Sequence, residues 1–123
     1  MADFSSRCLF RSDQRIRARA EFQRVQTKGK VFYSRYFTVI IYANPEVALS
    51  RLGIITSRRY GQATDRSRIR RFIRETFRVH QHELLSTQDI LVIPKPNAKN
   101  LKYDILRNDL LKLWEKADFL KIR

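Results

Sequence analysis

Residues 65–78 read DRSRIRRFIRETFR, six arginines in fourteen positions against two acids. At about 100° per residue, Ile69, Phe72, Ile73, Thr76, Phe77 and His80 fall within roughly 140° of one another on a helical wheel. Arg68, Arg70, Arg71, Arg74 and Arg78 occupy the opposite arc, and Arg66 stands at its border. The pattern predicts a helix that buries one stripe and presents arginine on the other side. The row Arg66, Arg70, Arg74, Arg78 repeats at i, i+4, where each like-charge pair costs a few tenths of a kcal/mol in an isolated helix. A solvated helix face would intersperse acids, and on this arc only Glu75 does so. Guanidinium groups form paired hydrogen bonds with phosphate and stack on bases, so the face points to a polyanion.

The rest of the chain agrees. It has 123 residues, one domain's worth, and its 26 Lys and Arg against 12 Asp and Glu give a net charge of +14. With 43% apolar residues, three prolines and three glycines, it has the composition of a folded protein. Charge of this size usually reflects nucleic acid or an acidic membrane as partner. The membrane reading is the weaker, because Phe37–Ala43, broken by Thr38, and Ile90–Pro94 are far shorter than the ~20 residues of a spanning helix. The single cysteine, Cys8, allows no internal disulfide and suits a reducing cytosol.

Residues 1–17, with Arg7, Arg11, Arg15 and Arg17, read as an extended basic lead-in. A first helix is expected over Ala18–Lys28, with Phe22 and Val25 on one face and Gly29 as its stop. Strands are expected over Val31–Ala43 with a break near Ser34, over Arg51–Ser57 and over Asp89–Ile93. Ala63–Leu85 and Tyr103–Ala117 complete the helices, the last with Ile105, Leu106, Leu110, Leu113 and Trp114 at helical spacing. Such a mixture in one small domain is a two-layer α/β sandwich. Alternation over Tyr36–Tyr42 puts Phe37, Val39 and Ile41 on one sheet face and Tyr36, Thr38, Ile40 and Tyr42 on the other. The first set belongs against helices, and the second could stack on unpaired nucleotides. Arg17, Arg19, Lys28, Lys30 and Arg35 flank it.

LGIITSRRYGQATDRSRIRRFIRETFR, residues 52–78, resembles the signature of the protein component of bacterial ribonuclease P: a strand ending in Ser and two basic residues, then Gly-Asn-Ala, a short gap, Arg-Asn-Arg and a basic helix. RARAEFQRVQTKGK is similar to the family's first helix, RYFTVIIY to its central strand and DILVIPKP to the strand after the long helix. Gln62 and Ser67 stand where the family usually has asparagine, and Gln26 where a second aromatic is often found. The resemblance implies an α+β fold, a four-stranded mixed sheet with three helices and a left-handed βαβ crossover, as in the second domain of ribosomal protein S5. It implies a single RNA-binding domain over 1–123, monomeric within a cytoplasmic ribonucleoprotein whose RNA subunit removes the 5′ leader of precursor tRNA with Mg²⁺. Contact with the catalytic RNA then falls to Arg58, Arg59, Gln62, Arg66, Ser67, Arg68, Arg70, Arg71 and Arg74. Contact with the leader falls to Arg17, Arg19, Phe22, Lys30, Arg35, Tyr36, Thr38, Ile40 and Tyr42.

A protein-based nuclease finds little support. Asp65, Glu75, Glu83, Asp89 and Asp104 are scattered rather than clustered for Mg²⁺, and His80 and His82 lie about 200° apart on one helix, too far to flank one phosphate. No protein residue is expected to be catalytic or to bind metal. The competing class is a structural ribosomal or RNA-chaperone-type protein, which composition alone would favour; the signature's place between strand and long helix separates the two.

Overall fold

The computed structural model describes residues 14–47, 49–81 and 87–117. Arg7, Cys8, Arg11, His82, Glu83 and Leu85 lie outside the described residues. The elements run α1 (Arg19–Lys28), β1 (Lys30–Tyr33), β2 (Phe37–Ala43), β3 (Arg51–Ile54), α2 (Ala63–His80), β4 (Gln88–Pro94) and α3 (Tyr103–Lys116), with short 3₁₀ turns at Arg58–Tyr60 and Pro96–Ala98. The four strands form one mixed sheet in the order β1-β2-β4-β3. β2 is antiparallel to both β1 and β4, while β3 runs parallel to β4 and reaches it through α2.

Alternation within the strands sets the two faces. Phe37, Val39 and Ile41 join Leu52, Ile90 and Val92 against α2 and α3, where Ile69, Phe72, Ile73, Phe77, Leu106, Leu110, Leu113 and Trp114 complete the main core. This is the expected sandwich. The reverse face carries a smaller cluster, Ile40 and Leu91 with Val25 of α1 and Ile16. Because α1 has ten residues, it covers only part of that face. In α3 the buried stripe is Leu106, Leu110, Leu113 and Trp114; Ile105, about 100° from Leu106 on the wheel, is 44% exposed rather than core.

Gly29 ends α1 without a left-handed turn, since its φ is −78°. Its reason is close approach: a Cβ there would stand 2.5 Å from the Val25 carbonyl oxygen and 2.8 Å from Cγ2 of Ile40. Residues 15–17 run alongside β3, with Arg15 bridged to Leu52 in parallel and the Ile16 N–H donating to the Leu52 carbonyl at 2.9 Å. Gln14 is buried, and its amide donates to the Ser50 carbonyl and to Oε1 of Gln81 beyond the end of α2.

A charged network fastens α1 to the sheet. Asp89, fully buried on β4, accepts from Nε of Arg51 at 2.9 Å and from Nη2 at 2.8 Å. Nη1 of Arg51 donates to Glu21 of α1 at 2.7 Å, and the Asn44 amide donates to Asp89 at 2.8 Å. The hydrogen bond from Arg51 is the main reason that the Glu21 carboxyl lies below its usual pKa, and the two carboxylates hold the Arg51 guanidinium more firmly protonated. Removing one partner of a buried pair leaves the other charge uncompensated, so Arg51→Ala should cost about 3–5 kcal/mol in chemical denaturation. The folded-state pKa of Glu21 is depressed, so its contribution is present above the ordinary glutamate range and is lost as pH falls through the folded value. Glu21→Gln should therefore flatten the acid limb of stability against pH below about 4.5 and lower stability at neutral pH.

Candidate nucleic-acid interface

The turn before α2 is built to deliver arginines. Gly61, at φ 155°, leaves no room for a side chain, because a Cβ would stand 2.6 Å from Oδ2 of Asp65. That carboxylate instead accepts from the Gln62 N–H at 2.9 Å and caps the helix. Tyr60 is buried in the core beneath the turn, which pushes its hydroxyl pKa up to about 12. Its neighbours Arg58 and Arg59 stay exposed beside the start of α2.

On α2 the buried residues are Ile69, Phe72, Ile73, Thr76 and Phe77, as the wheel predicts, with His80 half-buried at the end. The arginines divide between two flanks. Arg70 and Arg74 line a cleft of about 230 Å³ with Arg15, Arg17, Phe22 and β3. Arg68 and Arg71 lean toward α3. Arg70 donates to Oγ1 of Thr56 at 2.8 Å, and Arg78 pairs with Glu75 at 2.8 Å. Burial and then the charges of Arg15, Arg70 and Arg71 lower the Arg74 pKa, which records mutual repulsion within the face. Gln62 and Ser67 are exposed on the same helix turn as Arg66.

The reverse sheet face beside α1 is where the sequence reading needs correction. Ile40, expected on an open tyrosine-bearing surface, is 7% exposed and packs with Val25 and Leu91, because α1 lies over it. Tyr36 precedes β2 in a bend that breaks the alternation. Its ring packs against the main core, and its N–H donates to Asp109 of α3 at 3.1 Å. Lys30 pairs with Ile41, which puts it on the α3 side, away from α1. Tyr42 does lie on the α1 side, half-buried, with the Arg24 guanidinium 5.7 Å from its ring centre. Arg35 stays exposed in the β1–β2 bend over the Tyr36 ring, and Arg17 and Arg19 are exposed beside the start of α1.

What α1 leaves uncovered is a row running Tyr33, Thr38, Ile93 across the sheet, with Val31 next to it. Tyr33 is 64% exposed and Val31 41%, and the Lys95 ammonium sits 5.9 Å from the Tyr33 ring centre. Neither residue was among those expected. The signal was the alternation of KVFY, which becomes readable only when β1 is paired with β2. Phe22 closes the other side of this surface by lying over Gly53, where a Cβ would come within 2.9 Å of the ring and 2.6 Å of Cδ2 of Leu91. Gly53→Ala should therefore displace Phe22 and loosen α1 at a cost of about 1–3 kcal/mol, read as lost amide-exchange protection in α1 before the sheet.

A family model described as Ribonuclease P matches residues 10–118. The ribonuclease P protein component of Dictyoglomus turgidum is 35% identical over 115 residues, covering 92% of this chain and 96% of its own. That of Staphylococcus aureus is 38% identical over 102 residues, 83% of this chain and 86% of its own. Among solved structures, the Staphylococcus aureus ribonuclease P protein superposes with a TM-score of 0.82 at 36% identity, covering 87% of this chain and 97% of that one. The Thermotoga maritima protein gives 0.74 at 32% identity, over 89% and 97%. With the strand, basic turn and arginine helix in the matched order, the chain belongs to the ribonuclease P protein family, the protein component of the ribonucleoprotein endoribonuclease that matures the 5′ ends of tRNA.

Proposed function

We propose that this protein works with two separate surfaces, the arginine face of α2 holding the ribonuclease P RNA and the open sheet surface beside α1 holding the 5′ leader of precursor tRNA. The observation that carries the reading is the division between these surfaces. A row with one exposed tyrosine lies on the sheet face that α1 leaves open, and the cleft between α1 and β3 has Arg15, Arg17, Arg70 and Arg74 in its walls. Unpaired nucleotides favour such a setting, with rings for bases and cations for phosphates. Arg58, Arg59, Arg66, Arg68 and Arg71, together with the polar Gln62 and Ser67, supply the contacts to the catalytic RNA. Arg17, Arg19, Phe22, Tyr33, Thr38 and Tyr42 supply those to the leader.

Mg²⁺ belongs to the RNA in this scheme. Among the described residues no three His, Cys, Asp or Glu side chains group to hold a metal ion, and the most buried carboxylate, Asp89, is already taken by Arg51. This chain therefore contributes charge and stacking, and the RNA contributes the ion and the hydrolysis. No helix is long and apolar enough to cross a membrane among the described residues. We place one copy of the protein in a cytoplasmic holoenzyme.

Three measurements test the scheme. Purified, RNA-free protein should leave precursor tRNA intact, and adding a bacterial ribonuclease P RNA at low Mg²⁺ should restore 5′ maturation. Tyr33→Ala should leave the melting temperature nearly unchanged and weaken holoenzyme binding of precursor tRNA by about 1–3 kcal/mol, with little effect on mature tRNA. Arg58→Ala with Arg66→Ala should weaken assembly with the RNA and reduce the slope of log affinity against log salt by roughly 0.7–0.9 for each phosphate that is no longer neutralised. Lys112→Ala with Lys116→Ala on α3 is the equal-charge control, and a matching slope change there would reduce the arginine face to one part of a diffuse field.

A further inference from the structure

The flank of α2 that faces α3 carries a surface distinct from the leader cleft. Two adjoining concavities, of about 320 and 520 Å³, share Arg68 and Tyr103 in their walls and so form one groove along the α2–α3 seam. Tyr103 is 49% exposed, and its inner side stacks on Phe72 with ring centres 5.2 Å apart and planes 24° apart. The ring is thus braced from beneath while about half of the residue faces solvent. Arg68, Arg71 and Arg107 surround it and are all exposed, with no ion pair to another described residue. The two acids in the groove are already engaged, Glu75 by Arg78 and Asp65 by the Gln62 N–H and, at 3.7 Å, by Lys99. A braced aromatic ring amid unneutralised guanidinium groups is complementary to a nucleobase and its phosphates.

We infer that this groove binds an unpaired segment of the ribonuclease P RNA, with one base stacked on Tyr103 and its flanking phosphates held by Arg68, Arg71 and Arg107. The contribution of α3 is the new element, since neither Tyr103 nor Arg107 stands in the arginine-rich signature. The catalytic RNA is the source rather than the substrate leader, because the groove opens on the flank of α2 opposite Arg70 and Arg74. Arg68 and Arg71 also continue it directly into the face assigned above to that RNA. The inference rests on that assignment.

The test compares Tyr103→Ala, Tyr103→Phe and Arg107→Glu with the unaltered protein, each checked by thermal melting. Each is titrated against a ribonuclease P RNA transcript and then, at saturating RNA, scored for its preference for precursor over leaderless tRNA. Tyr103→Ala and Arg107→Glu should each weaken RNA assembly about tenfold, while Tyr103→Phe, which keeps the ring, should remain within about twofold. The preference for precursor tRNA should not change. Should Tyr103→Ala melt early through loss of the Phe72 stack, Arg107→Glu still decides, because its side chain is exposed. Unaltered RNA affinity in Arg107→Glu overturns the inference, and loss of precursor preference at normal RNA affinity transfers the groove to the leader and overturns it equally. If Arg58→Ala with Arg66→Ala weakens assembly while the groove variants do not, only the groove fails; if that pair is also without effect, the assignment of the whole arginine face fails.

Discussion

The paired hydrogen bonds between Arg51 and Asp89 anchor everything on the α1 side of the sheet. Asp89 is buried on β4, next to a hydrophobic run that fills both faces, and a bare carboxylate there would be strongly unfavourable. Arg51, on the neighbouring parallel strand, satisfies it and extends a third donor to Glu21. The helix is thereby fastened at one charged point, and apolar contacts between Val25, Ile40 and Leu91 do the rest. Because α1 is short, this fastening decides which part of the sheet is covered and which remains open as the Tyr33 row.

The long helix has a different task. Its apolar stripe seals the main core, and its outer arc reaches two opposite flanks, Arg70 and Arg74 toward the α1 cleft and Arg68 and Arg71 toward α3. A single helix thus presents guanidinium groups to two sides of the fold at once. The turn between strand and helix fixes its direction, since Gly61, Asp65 and the Gln62 N–H lock together within one helical turn. β1 and β2 are tied to α3 from below, where Ser34 and the Tyr36 N–H both donate to Asp109.

How much of this was legible in the sequence follows from the range of each interaction. The faces of α2 and α3 depend on local period alone, and the residues expected on the inner stripe of α2 are buried, with His80 half-buried at its end. The β2 face against the helices was readable for the same reason. Ile40 was not, because whether an apolar strand residue is open or covered depends on α1 arriving from elsewhere. Tyr36 was misplaced because a two-residue alternation says nothing about the bend that precedes it. Arg51 and Asp89 are 38 positions apart in the chain, and nothing local marks them as partners. Gly29 and Gly53 are glycines for a reason that no local pattern carries: another side chain occupies the space where their own would be. The family signature, by contrast, is contiguous, and it led directly to the family that the matching model and relatives show.

Burial first, and then the charges of Arg15, Arg70 and Arg71, disfavour the charged form of Arg74, so this arc of α2 carries like charge at close quarters in the free protein. Arg15, Arg70 and Arg71 all oppose the charge there, and a phosphate backbone laid along the face would relieve that opposition while it binds. Dissolved salt then acts in two opposite senses on one set of residues. It screens the arginines from one another and steadies the isolated fold, and it would weaken any hold of theirs on a phosphate backbone by lowering the gain from counterion release. Folding of the subunit and binding of a polyanion on this arc would thus respond in opposite senses to ionic strength, and such a polyanion would be a stabilising ligand of the protein where salt protects it least.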